Sequence, residues 1–214
     1  MSNRSRTPLV LGIVLAVVVI AGIAAVALTS GGDDDETSST VPPGTGGGTA
    51  TVEVQGDSLP AGEGPSDPAI GTAAPALTGS DYTGAPVAIT PGADGPMMVV
   101  FLAHWCPHCN NEIPVLQEWA AQGGIPEGLQ VVGVSTAVSA ERPNYPPDAW
   151  LAEKGWEWPV LADDGELTAA NAYGVSAFPF LTFIDADGNV TQRVSGELPI
   201  DELQVLADAA VATA

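Results

Sequence analysis

Both cysteines of this chain fall in one short stretch, Phe101-Leu102-Ala103-His104-Trp105-Cys106-Pro107-His108-Cys109, which also holds both histidines and one of the five tryptophans. Two thiols separated by two residues can close a disulfide and open it again, so the pair reads as a redox dithiol. It is not a structural staple, because so short a loop restrains the unfolded chain little. Cys106 is the expected attacking thiol: it stands just ahead of a predicted helix, where unpaired backbone N–H groups favour a thiolate. Cys109, one turn further in, is the expected resolving thiol that closes a Cys106–Cys109 disulfide, and no other cofactor is assigned. His108 lies between them and can donate to the Cys106 thiolate or place a positive charge beside it. Stabilising the thiolate favours the reduced form and makes the disulfide a stronger oxidant. His104, His108 and the cysteines add up to a Cys2His2 set, but structural metal sites draw their ligands from separated segments. His104 is therefore expected as a surface or groove residue, with no metal, and Trp105 as a packing lid beside the disulfide.

The elements that must position this pair follow from the flanking pattern. Met97–Ala103 is an unbroken apolar run, suited to a strand covered on both faces. Pro107 sits where a helix tolerates proline best, in its first turn. That helix is expected to run to about Gln122, kinked at Pro114, with Ile113, Leu116, Trp119 and Ala120 on one face and Gly123-Gly124 as its stop. Leu129–Val134 is a second apolar strand, Pro146–Gly155 a helix with Trp150 and Leu151 inward, and Gly165–Tyr173 a short helix ended by Gly174. Phe180–Ile184 and Val190–Val194 form a hairpin around Asp187-Gly188. Ile200–Val211 closes the chain as an amphipathic helix. Ala74–Leu77 and Pro86–Ile89 read as a short strand pair or extended arms. The result is an α/β fold, a mixed sheet with helices on both faces, whose first two long strands are parallel and whose last two are antiparallel.

Ahead of this domain the composition changes twice. Arg4 and Arg6 precede Leu9–Leu28, 20 residues without a charged or strongly polar side chain. As a helix it would span about 30 Å, the thickness of a hydrocarbon core. Ala25-Val26-Ala27 resembles a signal-peptide cleavage site, which would make the protein secreted, but the run exceeds a typical signal core. The expectation is a single-pass anchor in a bacterial cell membrane: residues 1–8 cytoplasmic, 9–28 in the bilayer, and the redox domain outside the cytoplasm. Residues 29–69 are expected as a flexible acidic tether of Gly, Pro, Ser and Thr, too poor in apolar side chains to order itself, and residues 70–214 as the folded domain. The net charge of −21, from 26 acids against five Lys and Arg, excludes nucleic acid as a partner. It also excludes docking on an anionic lipid surface.

Four features together resemble the thioredoxin superfamily: Trp105-Cys106-Pro107-His108-Cys109, Pro114 eight positions after Cys106, Tyr173-Gly174-Val175 leading to Pro179, and Asp185-x-Asp187-Gly188-Asn189-Val190. The resemblance covers about residues 70–212. The anchor, the Ile70-Gly71-x-x-Ala74-Pro75 segment and the added strand–helix unit are similar to membrane-tethered TlpA/ResA-type proteins, whereas the Pro-His dipeptide resembles DsbA-type oxidases. The resemblance implies a cis peptide bond at Pro179, placing Phe178 opposite Cys106 where an extended substrate could add as a strand. Phe178 is bulkier than its usual counterpart and would line the groove. It also implies a buried acid where this chain has Val100, leaving Glu112, Glu118 or water to take that role.

The expected activity is thiol–disulfide exchange on protein cysteines outside the cytoplasm, by a monomer with a membrane redox partner. His108 tips the expected direction slightly towards disulfide donation, and the TlpA-like frame towards reduction, for instance in cytochrome c maturation. A thiol peroxidase would need a Thr or Ser at Ala103. A copper or zinc metallochaperone would use His104, Cys106, His108 and Cys109.

Overall fold

The computed structural model describes residues 50–212; the expected anchor and the first part of the expected tether lie outside them. Twelve elements follow one another among these residues. β1 (Glu53–Gln55), β2 (Ala76–Ser80) and β3 (Pro86–Ile89) make a small antiparallel sheet. β4 (Met97–Leu102), α1 (Pro107–Ala121), β5 (Gln130–Ser135), α2 (Pro147–Glu153), β6 (Val160–Ala162), α3 (Thr168–Ala172), β7 (Phe180–Ile184), β8 (Val190–Ser195) and α4 (Ile200–Ala212) complete the chain. The main sheet runs in the order β6-β5-β4-β7-β8. β4, β5 and β6 are parallel, and β7 is antiparallel to both of its neighbours.

β4 occupies the centre because all six of its side chains are apolar and buried. Their alternation sends Met98, Val100 and Leu102 to one face and Met97, Val99 and Phe101 to the other. The first face packs on α1, α2 and α4 through Ile113, Leu116, Trp150 and Leu203. The second packs on α3 and on the small sheet, through Ala169, Leu77 and Ile89. Helices therefore lie on both faces, as expected, but the second is shared with β-structure. The helix α1 continues through Pro114.

Two short strands were not anticipated. β6 is only Val160-Leu161-Ala162, too brief to alternate, and β1 lies within the segment expected as a tether. The tether boundary at residue 69 is corrected by this structure. Leu59, Asp67 and Ala69 are buried, and the Leu59 N–H donates to Ala172 O at 2.8 Å. Gly71 N–H donates to Val190 O at 2.8 Å and Val190 N–H to Thr72 O at 2.9 Å, so this segment runs along the β8 hairpin. Its anchor is Arg193, fully buried, whose Nε donates to Asp67 Oδ2 at 2.7 Å and whose Nη1 donates to Tyr173 O at 2.7 Å. A polar composition hid this because the partner stands 126 positions away. Gly174 is required here: at φ +63°, a Cβ would lie 2.8 Å from Pro60 O and 2.9 Å from Arg193 Nη1.

Candidate active site

Cys106 sits at the carboxyl end of β4 as the N-cap of α1, with extended backbone angles of φ −78° and ψ 121° and no side-chain cap. Pro107 follows at the start of the helix and contributes no N–H, so His108 and Cys109 supply the free first-turn donors. Both cysteines are thiols here, Cys106 nearly covered and Cys109 fully so. The Cys106 Sγ donates to Phe178 O at 3.3 Å, across a Phe178–Pro179 peptide bond that is cis. Trp105 and Phe178 meet edge to face, with ring centroids 6.1 Å apart, and both pack against the cluster that contains the two thiols. Burial pushes the Cys109 thiol well above the ordinary range, and the neighbouring Cys106 and Glu112 push in the same direction.

Val100 is apolar and fully buried beneath the thiols. The buried acid comes instead from α1. Glu112, three positions beyond Cys109 and so on the same side of the helix, has no solvent exposure. Its Oε2 accepts the Leu198 N–H at 2.9 Å, while Oε1 is buried without a partner. Burial pushes its carboxyl up from the ordinary 4.5 to about 7, against the pull of that hydrogen bond. Glu118, the other acid considered, is exposed and accepts from Gln122 at 3.0 Å.

His108 does not turn back towards the thiols. Its Nδ1 meets Glu197 Oε1 at 2.7 Å at the surface, and Asn111 Nδ2 donates to the same oxygen at 3.0 Å. Hydrogen bonds from Asn111 and His108 hold the Glu197 carboxyl below its ordinary range.

His104 is a correction: it is not a surface or groove residue but is fully buried. Ser139 N–H donates to its Nε2 at 3.1 Å, which leaves the proton on Nδ1 to be donated to Pro143 O at 2.7 Å. Both ring nitrogens are thus spent on the loop between β5 and α2, so the Cys2His2 arrangement is not assembled. The same loop accepts Trp105 Nε1 at Ala137 O, 2.8 Å, and lays Arg142 over the Trp105 ring at 4.6 Å. Asn144 in turn donates to His104 O at 2.8 Å. His104 and Trp105 together fasten this loop beside the dithiol. The loop residues were missed in the sequence because nothing local marks their approach, whereas the spacing of Glu112 from Cys109 was a usable signal.

The chain is similar to proteins that are already known. The AhpC/TSA family model matches residues 70–193. The thiol-disulfide oxidoreductase ResA of Bacillus thuringiensis (strain Al Hakam) is 24% identical over 135 residues, which cover 63% of this chain and 75% of that protein. The thiol:disulfide interchange protein DsbE homolog of Paracoccus denitrificans is 34% identical over 104 residues, 49% of this chain and 52% of that protein. A secreted Mycobacterium tuberculosis disulfide oxidoreductase homologous to E. coli DsbE has a crystal structure that superposes with a TM-score of 0.51 at 25% identity, covering 62% of this chain and 94% of that one. The chain therefore belongs to the AhpC/TSA family, as a thioredoxin-fold thiol–disulfide oxidoreductase of the ResA and DsbE kind.

Proposed function

We propose that this oxidoreductase works outside the cytoplasm, tethered to the membrane through residues 9–28, and reduces disulfides of protein substrates. The Cys106 thiolate attacks the substrate disulfide, forming a Cys106–substrate disulfide and releasing one substrate thiolate. Cys109 passes its proton to Glu112, its sulfur attacks the Cys106 sulfur, and the second substrate thiolate leaves as the Cys106–Cys109 disulfide forms. Two electrons have then moved from the dithiol to the substrate. Regeneration takes a thiol reductant, the role of the proposed membrane partner.

The observation that carries the thiol–disulfide exchange is Glu112. A buried thiol is a poor nucleophile unless something nearby accepts its proton, and Glu112 is a buried carboxyl with one unpartnered oxygen and a proton affinity in the neutral range. The same group returns the proton to Cys109 when the reaction runs backwards, so Glu112 by itself gives no direction. Donation drew its support from a His108 facing the thiolate. With His108 turned to Glu197 that support is lost, and the TlpA-like frame of the domain favours a reductant. Membrane tethering draws its support from the apolar run at Leu9–Leu28; among the described residues no helix is long and apolar enough to cross a membrane.

The equilibrium potential of the Cys106/Cys109 pair tests the direction. A value near that of thioredoxin, about −270 mV, agrees with reduction, and one near about −120 mV refutes it. Cys109→Ser in cells is expected to trap protein substrates as mixed disulfides on Cys106, and an absence of trapped proteins counts against protein substrates.

A further inference from the structure

Three consecutive residues in the turn between β8 and α4 touch three separate parts of the site. Gly196 N–H donates to Pro179 O at 2.9 Å. Glu197 Oε1 holds His108 Nδ1 at 2.7 Å and Asn111 Nδ2 at 3.0 Å. Leu198 N–H donates to the buried Glu112 Oε2 at 2.9 Å. The peptide unit between Glu197 and Leu198 thus joins a surface histidine–carboxylate contact to the acid beneath it. The side chains of His108 and Glu197 are 65% and 41% exposed, so both meet solvent, whereas Glu112 has none to draw on.

Few other charges face Glu112. Its own helix presents the Cys109 thiol one turn back, and the turn presents Glu197. The contact between α4 and α1 is uncharged, Trp119 Nε1 donating to Gln204 Oε1 at 2.8 Å, and Asp201 and Glu202 of α4 are exposed. The sheet face beneath is apolar, formed by Val100, Leu102, Leu181 and Phe183.

We propose that Glu197 is a positioning residue that couples His108 to Glu112, so that His108 acts on the dithiol through the turn Gly196–Leu198 and not by contact with Cys106. This rests on the proton exchange between Cys109 and Glu112 proposed above. A protonated His108 compensates the Glu197 carboxylate and eases ionisation of Glu112. Without His108 the Glu197 charge stands uncompensated and opposes it, in keeping with the upward push that Glu197 exerts on Glu112.

The test is a double-mutant cycle on the full chain with His108→Ala and Glu197→Gln, both exposed positions that leave the core intact. The readout is the pH profile of the Cys106/Cys109 exchange rate with a small aromatic disulfide. Glu197→Gln is expected to move the neutral-range inflection to lower pH and His108→Ala to higher pH. The His108→Ala effect, about twofold or more at fixed pH in the wild type, should vanish in the Glu197→Gln background. An equal His108→Ala effect in both backgrounds overturns the coupling and returns His108 to direct action on Cys106. Glu112→Gln separates the two levels. If it leaves the inflection unchanged, the Glu112 reading fails and the coupling with it. If it abolishes the inflection while His108 and Glu197 remain additive, the coupling alone fails.

Discussion

Replacing Glu112 with glutamine removes an ionisation that burial has displaced from the ordinary 4.5 to about 7. Between those values the folded chain keeps a proton that the unfolded chain releases. The group's contribution to stability is therefore fully present below about pH 4.5 and is lost as pH rises through about 7. The displacement corresponds to about 3 kcal/mol in total, and about 2.5 kcal/mol of it falls between about pH 5 and about pH 8. Glutamine keeps an acceptor for the Leu198 N–H and leaves one buried polar group unpartnered, as the protonated acid does. That cost is the same at both pH values and cancels in the comparison. Urea unfolding of the reduced protein should then show the wild type losing about 2–3 kcal/mol more than Glu112→Gln over this interval. Equal losses in the two proteins would mean that Glu112 ionises in its ordinary range, and the proton-transfer role would fall with it.

Asp67→Asn leaves the Arg193 guanidinium buried without its carboxylate, and should cost about 3–5 kcal/mol in urea unfolding while leaving the potential of the dithiol unchanged. In the wild type, burial pushes Asp67 up, but hydrogen bonds from Arg193 and the Ala69 N–H more than offset it and hold the carboxyl below its ordinary range. That stability is present above about pH 3.9 and disappears as pH falls through the lowered value, so acid unfolding of Asp67→Asn should lack this component. His104→Leu keeps the volume apolar but strands the Pro143 carbonyl and the Ser139 N–H. A loss of about 2–3 kcal/mol is expected, and hydrogen exchange at Ser139 should accelerate far more than at Val99, in the centre of β4.

The dithiol, its helix and the strand beneath them were legible because their signals are local: an unbroken apolar run, a proline at the position where a first turn accommodates it best, and two glycines at the far end. The cis bond at Pro179 was legible only through resemblance. His104 was misplaced because a histidine beside a reactive thiol looks functional, and its true partners, Ser139 and Pro143, are 35 and 39 positions away. The stretch from residue 50 to residue 69 was misread for the same reason. Its few apolar residues could not order it alone, and the arginine that does so belongs to a strand at the other end of the domain. His108 was placed correctly on the helix, but its partner is Glu197, 89 positions further on, which no spacing rule connects to it. Sequence patterns report faces and periods; they do not report which distant residue occupies the space opposite.

The Arg193 clamp also has a mechanical meaning. Traction on the chain ahead of residue 50 would first meet β1, paired with β2 over three residues and packed on the core through Val54. It would next meet Leu59–Thr72, laid beside β8 and locked by the guanidinium. Both lie outside β4 and α1, so the domain can be tugged by its leading segment while the cysteine pair keeps its alignment with the proline opposite. Such a pull would fall on the frame, not on the working part.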